Sequence, residues 1–220
     1  MIGDSTYRSF VNDLRAALDH ELPGSPAQFE MSPPHRPADR ADLHEKRAYH
    51  EAAVLALFYP AKDPTDVARL LLTVRPQGMA KHAGQVAFPG GRREPGEALI
   101  DTALRETHEE VAISADSIDV LGALSPLYIP PSNFYVHPFV GALDRFPDMA
   151  QTSDEVAALF GVSVEKLIDP SIRQTAPRRI GDQTLEIPFF DLNGEFVWGA
   201  TAMMMAELAA VLRRVSKRRG

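Results

Sequence analysis

At 220 residues, with 45% hydrophobic and 24% charged positions, the chain is long enough for one good core plus an extension and has an ordinary globular composition. It contains no cysteine, which excludes disulfides and thiolate metal sites and fits a reducing, cytoplasmic compartment. The net charge of −7 argues against nucleic acid as a partner, no apolar run approaches the roughly 20 residues of a membrane span, and MIGDSTYRSF lacks the basic and apolar pattern of a secretion signal.

Asp4 or Ser5 is placed to cap a first helix, in which Tyr7, Phe10, Val11, Leu14, Ala17 and Leu18 recur at helical spacing until Pro23-Gly24. This helix is amphipathic and must dock either on its own domain or on a partner subunit, which would make a homodimer. From Pro23 to Arg40 five prolines and few large apolar residues read as an extended linker. Residues 1–40 are therefore expected to be an N-terminal helix and Pro-rich linker, and residues 41–220 the main domain.

Ala52–Tyr59 is a continuous apolar run ended by Pro60, the pattern of a strand buried on both faces. Val67–Val74 predicts a second strand, and Ala83–Phe88 a short one broken by Pro89-Gly90-Gly91. A helix follows over about Glu97–Val111. Ile118–Ser125 and Phe134–Leu143 predict two more strands joined through Pro130-Pro131. Glu155–Phe160 is compatible with a strand or a helical turn. Ser163 caps a short helix to Ile168, and Asn193-Gly194 reads as the turn of a hairpin between Thr184–Asp191 and Glu195–Trp198. Thr201, Met204, Met205, Leu208, Val211, Leu212 and Val215 form the stripe of a closing helix. Interleaved strands and helices give an α/β (α+β) class, a mixed sheet with helices packed on it.

The stretch Gly91–Ile113, GRREPGEALIDTALRETHEEVAI, carries the chemistry. On a helix, Ile100, Ala103, Leu104, Thr107 and Val111 fall on one apolar stripe, and Glu106, Glu109 and Glu110 share an adjoining arc. Like charges this close repel by a few tenths of a kcal/mol per pair. A solvated acidic face and a site for a hard divalent cation both fit that pattern.

The stretch resembles the Nudix box, a Gly, five residues, a Glu, seven residues, then Arg-Glu-apolar-x-Glu-Glu-x-Gly-apolar. Gly91, Glu97, Arg105, Glu106, Glu109, Glu110 and Ile113 match in register; Thr107 and Ala112 depart, and Ala112 matters if the helix end needs a positive φ. Upstream, Leu71-Leu72-Thr73-x-Arg75, His82, Gly84-Gln85 and Phe88-Pro89-Gly90-Gly91 are similar to the signature of the coenzyme A pyrophosphatase branch of that superfamily. Pro76 and Ala80 stand where that branch usually has a small residue and an arginine. DEVAALFGVSVEKLIDP and the run from Ile187 to Thr201 extend the resemblance, which covers about residues 48–212.

The resemblance implies a Nudix fold, a mixed sheet sandwiched between helices, here with an N-terminal helical extension. It implies hydrolysis of the pyrophosphate of coenzyme A or a derivative, to 3′,5′-ADP and 4′-phosphopantetheine, with Mg²⁺ or Mn²⁺ and a small-molecule substrate. Glu106 and Glu110 would be the main metal ligands, with Glu109 as ligand or outer partner and the Gly90 carbonyl completing the set. Glu97 and Arg105 would pair structurally. Glu155 is the candidate general base beside the box glutamates Glu106 and Glu109, and Arg75, Lys81 and His82 are the candidates to face substrate phosphate. Two alternatives stand: a Nudix enzyme for another nucleoside diphosphate derivative such as ADP-ribose or an oxidised nucleotide, and a Nudix-fold binding module without catalysis. His108 reads as a surface residue, His137 as a core or rim residue, and Tyr128 and Phe134 as packing or ring-stacking residues.

Overall fold

Strand β1 (His50–Pro60) is the spine of the molecule, and its apolar run is explained by burial on both faces. Ala52, Ala56 and Phe58 pack into one core and Ala53, Leu55, Leu57 and Tyr59 into the other. The protein is described by a computed structural model over residues 2–34, 48–63, 65–77 and 84–219. Lys81, His82 and Ala80 lie outside the described residues, as does the end of the 1–40 segment.

On one edge β1 runs parallel to β7 (Phe134–Leu143), with His50 opposite Phe134 and Phe58 opposite Ala142. Its other edge is shared by two antiparallel partners. The first half pairs with β4 (Gly90–Arg92), the second with β2 (Ala68–Val74). Beyond these lie β3 (Val86–Ala87) and β8 (Ala158–Ser163) on β2, and β5 (Ile118–Ala123) and β6 (Leu127–Ile129) on β7. The result is a mixed eight-stranded sheet. The segment left open between strand and helix is thus strand β8 from Ala158 onward.

Helix α3 (Leu99–Val111) covers one face of the sheet, with Ala103 and Val111 against Leu55, Leu57 and Leu71. The opposite face takes α1 (Ile2–Leu18) and α5 (Gly199–Arg219). Six of the seven stripe residues expected for α5, from Met204 to Val215, are buried, and so are Ala202, Met203, Ala206 and Ala209. A three-stranded sheet of β9 (Arg173–Ile180), β10 (Gln183–Leu192) and β11 (Glu195–Trp198) precedes α5 and is entered through α4 (Val164–Ile168). Ser163 caps α4 by accepting the Lys166 N–H. The β10–β11 turn is the expected Asn193-Gly194, with φ of 59° and 89°. Strand β9 was not visible in the sequence because RQTAPRRI has no apolar alternation; most of it is exposed.

Two expectations at the N-terminus are corrected. Helix α1 begins at Ile2, so Asp4 and Ser5 lie inside its first turn. Residues 23–40 are not extended throughout, because Gly24–Phe29 forms a short helix, α2, with Ala27 and Gln28 buried. The reason is a tertiary contact. Glu207 of α5 is fully buried and accepts the Gly24 N–H at 3.0 Å, Gln28 Nε2 at 2.9 Å and the Ser125 hydroxyl at 2.7 Å. A buried carboxylate without a cation needs such donors, and they fix the short helix in place. Helix α1 docks on its own chain: Tyr7 donates to the Phe58 carbonyl at 3.2 Å, Arg15 pairs with Asp119 at 2.6 Å, and Phe10 and Leu14 are buried. Each such large apolar side chain contributes about 2 kcal/mol by burial. Among the described residues no helix is long and apolar enough to cross a membrane.

Candidate active site

One arginine fastens the glycine turn to α3. Arg105 Nε donates to Glu97 Oε1 at 2.8 Å and Nη2 to Oε2 at 3.2 Å, a forked contact, and Nη2 also reaches the Arg92 carbonyl at 3.2 Å. The Thr102 hydroxyl and the Glu94 N–H donate to the same carboxylate at 2.7 and 3.1 Å. Arg105 above all holds the Glu97 carboxyl down at about 2. Glu97 is therefore a fixed anion that ties turn to helix, as the resemblance to the Nudix box implied.

The remaining Arg105 nitrogen, Nη1, turns the other way, to Glu106 at 3.0 Å and Glu109 at 3.2 Å. The three box carboxylates are graded in exposure: the side chain of Glu109 is 56% exposed and that of Glu106 18%, while Glu110 is 6% exposed as a residue. Sequence periodicity had put all three on an arc outside the apolar stripe. Glu110 instead shares the buried face with Thr107 and Val111, because β4 and the glycine turn lie across it. The Gly90 N–H donates to Glu110 Oε2 at 3.3 Å.

Burial pushes the Glu110 carboxyl up to about 7, against the pull of the Gly90 N–H and the Arg75 cation; the charges of Glu106 and Glu155 push the same way as burial. Burial also raises Glu106, with Arg105 opposing. The glycines make the close approach possible. At Gly90, φ is 149°, and a Cβ would strike the Ala53 carbonyl and the Val54 Cα. At Gly91, a Cβ would occupy the space of the Glu106 carboxylate.

Two further sequence candidates arrive from distant segments. Arg75 follows β2, where the Thr73–Ala87 pairing with β3 and the Arg75 N–H to Gln85 carbonyl bond at 3.0 Å hold the hairpin, and its charge is felt at Glu110. Glu155 is exposed, and its charge is felt at both Glu106 and Glu110. It is brought there by Thr152, whose hydroxyl donates to the Glu109 carbonyl at 2.8 Å and whose N–H donates to the Glu110 carbonyl at 3.4 Å. Thr152 thus satisfies open carbonyls at the end of α3 and moors the loop that carries Glu155. Sequence reading missed it, since a lone threonine in a polar loop gives no signal.

His108 is exposed on α3. His137 on β7 is half-buried, with Nε2 3.9 Å from Glu51 and its ring edge-on to Tyr135 at 5.0 Å. Burial lowers its pKa, partly offset by Glu51. Tyr128 is buried and donates to Asn133 at 2.8 Å, a packing role; Phe134 lies 5.5 Å from the His50 ring. A groove of about 630 Å³ opens beside Glu106, between the turn and the start of β1. Its lining includes Tyr49, His50, Arg92 and Arg93, none of which the sequence reading singled out. Strand pairing brings these together: the Arg93 N–H donates to the Glu51 carbonyl at 3.0 Å, and the Arg93 side chain pairs with the Glu51 carboxylate. No spacing within either segment announces that.

Among the described residues no three acidic or histidine side chains already converge as a metal cage. Glu106 and Glu109 face Arg105, and Glu110 faces Gly90. The donor set nonetheless fits a hard divalent cation. All its groups offer oxygen, the choice of Mg²⁺ and Mn²⁺. The buried Glu110 is short of positive charge, and the missing Cβ of Gly91 leaves Glu106 its place beside the turn.

Comparison with known proteins follows the same lines. A family model of the NUDIX domain matches residues 49–181. A protein of Yersinia enterocolitica named uncharacterized Nudix hydrolase NudL is 39% identical over 161 residues, 73% of this chain and 80% of its own length. Its namesake in Yersinia pestis is 38% identical over 159 residues, 72% of this chain and 77% of its own. Among solved structures, the MutT/nudix family protein of Enterococcus faecalis matches with a TM-score of 0.53 at 15% identity, covering 90% of this chain and 76% of its own. The Nudix hydrolase RenU of M. smegmatis matches at 0.51 and 18%, covering 78% and 88%. These two share the fold.

Proposed function

This chain belongs to the Nudix hydrolases, and from that premise we propose that it hydrolyses the pyrophosphate of coenzyme A or an acyl derivative, releasing 3′,5′-ADP and 4′-phosphopantetheine. The observation that carries the reading is a convergence. The hairpin of β2 and β3, which holds the segment resembling the coenzyme A branch, delivers Arg75 to the electrostatic neighbourhood of Glu110 in the Nudix box. A polyanionic substrate needs cations at that place, and Arg75 offers a fork for phosphate oxygens.

Glu106 and Glu110 would hold Mg²⁺ or Mn²⁺, with Glu109 and the Gly90 carbonyl beside them. When bound, a divalent cation neutralises the phosphates and acidifies the attacking water. Glu155 accepts the proton of that water as its oxygen bonds to phosphorus. The anhydride P–O bond breaks, and the departing phosphate leaves as the anion. Arg105 holds Glu106 and Glu109 in position while Glu97 holds Arg105.

The test is turnover by the purified chain with Mg²⁺ of coenzyme A, ADP-ribose, NADH and oxidised nucleotides. Release of phosphopantetheine from coenzyme A is expected. Cleavage of ADP-ribose or nucleotides alone would replace this reading with the second member of the superfamily menu, and no turnover with any metal would leave a binding module. Glu155→Gln is expected to lower kcat at least 100-fold. A kcat within a few-fold of wild type would take the base assignment away from Glu155.

A further inference from the structure

The glycine turn and α3 carry three arginines, and two of them are neutralised. Arg93 pairs with Glu51 and donates Nε to the Glu97 carbonyl at 2.6 Å, while Arg105 is spent on Glu97, Glu106 and Glu109. Arg92 differs. Among the described residues it makes no ion pair, and its Nη2 lies 3.3 Å from His50 Nδ1. A guanidinium only donates, so Nδ1 accepts, and the two side chains stand together as a cation and a ring with no carboxylate between them.

Both line the groove beside Glu106. Its acids are accounted for as follows. Glu51 is matched by Arg93 and Glu106 by Arg105, and Glu94 is exposed at the rim. The main chain at Arg92 lies near the box carboxylates, since its carbonyl accepts from Arg105 and a Cβ on the neighbouring Gly91 would meet the Glu106 carboxylate. An anion held by Arg92 and His50 would sit toward the start of β1, in the same groove that Glu106 lines. Tyr49, its ring 5.2 Å from that of Tyr135, lines the same groove and offers an aromatic surface for a base.

We propose that Arg92 and His50 form a subsite for a phosphate on the ribose of the substrate, the 3′-phosphate that distinguishes coenzyme A from plain ADP derivatives. This rests on the coenzyme A reading above and makes Arg92 a specificity-determining residue. A ribose phosphate is a dianion that a guanidinium binds by charge-assisted hydrogen bonds, and a substrate without it leaves the cation with water.

The full chain with Mg²⁺ is assayed on coenzyme A and 3′-dephospho-coenzyme A, as wild type, Arg92→Gln and Arg92→Lys. Wild type is expected to favour coenzyme A. Arg92→Gln is expected to lower the ratio of kcat/KM for the two substrates about tenfold through KM, and Arg92→Lys to restore part of it. Calorimetry gives a readout apart from turnover: wild type binds 3′,5′-ADP more tightly than 5′-AMP, and Arg92→Gln removes the difference. An equal loss on both substrates, or equal binding of both nucleotides to wild type, overturns the subsite and leaves the coenzyme A reading standing. Turnover of ADP-ribose but of neither coenzyme A form overturns the substrate reading and the subsite with it.

Discussion

Glu97 and Glu110 sit at opposite ends of one sequence motif and answer pH in opposite directions. Around Glu97 the chain supplies every donor itself: the Arg105 fork, the Thr102 hydroxyl and the Glu94 N–H. Around Glu110 it supplies burial, one N–H at 3.3 Å and a more distant arginine, with two further carboxylates pressing in. One end is electrostatically closed within the chain. The other is left short of positive charge, and it is there that the proposed function puts a cation and a phosphate. The difference teaches that acid content alone does not identify a site; what matters is which acids lack compensation.

The sharpest way to break this contrast is Glu110→Gln. Activity is expected to fall at least 1,000-fold in the Mg²⁺ assay, as the metal role proposed for Glu110 requires. The metal-free protein, in contrast, should become more stable. The folded carboxyl titrates near 7 and an unfolded one near 4.5, so stability from the protonated form is full below pH 4.5 and is lost as pH rises through 7. At pH 8 the variant should gain about 2–3 kcal/mol over wild type in chemical denaturation, with the gain shrinking as pH falls through 7 and gone below about 4.5. A variant that is both active and less stable at pH 8 would mean Glu110 has been assigned to the wrong end.

Glu97→Gln should do the reverse. A carboxyl held down at about 2 contributes stability that is present above 4.5 and is lost as pH falls toward 2. The variant is expected to be less stable than wild type at pH 7, with the difference closing as pH falls through about 2. Its turnover should fall about tenfold, because Arg105 no longer holds Glu106 and Glu109 in place. A 1,000-fold loss would place Glu97 among the reacting groups.

Thr152→Val tests the mooring of the Glu155 loop. Losing the hydroxyl contact to the Glu109 carbonyl should cost about 1 kcal/mol and lower kcat a few-fold with KM little changed. The smallest effect is expected at Ala112, which ends α3 with φ of 60° and ψ of 21°, a left-handed conformation that strains a side chain. Ala112→Gly should raise stability by about 0.5–1 kcal/mol in thermal unfolding without altering turnover. This is the position where the chain departs from the glycine of the Nudix pattern, so the fold keeps the geometry and bears the strain.

Much of this was legible in the sequence where the signal is local. The unbroken apolar run of β1, the Asn193-Gly194 turn and the Ser163 cap all depend on residues near one another in the chain, while the Glu97–Arg105 pairing followed from the resemblance to the Nudix box. The two-way sharing of the β1 edge by β4 and β2 was not legible, and it is that sharing that covers Glu110 and gathers His50 and Arg92. A helical wheel ranks faces by composition and cannot see what another strand lays across them. The N-terminal prolines misled for a related reason: Gly24–Phe29 is helical because Glu207, far along the chain, accepts its N–H and side-chain donors.

That last contact also bears on how the protein can be cut. Residues 49–181 match the family model, yet Glu207 and its partners at Gly24 and Gln28 both lie outside that span. A fragment trimmed at the N-terminal side would keep the carboxylate and lose two of its donors, and one trimmed at the C-terminal side would lose the wall that α1 rests on. The two flanks are therefore inherited together: neither can be exchanged with a relative, or removed for crystallisation, unless the other is redesigned to match.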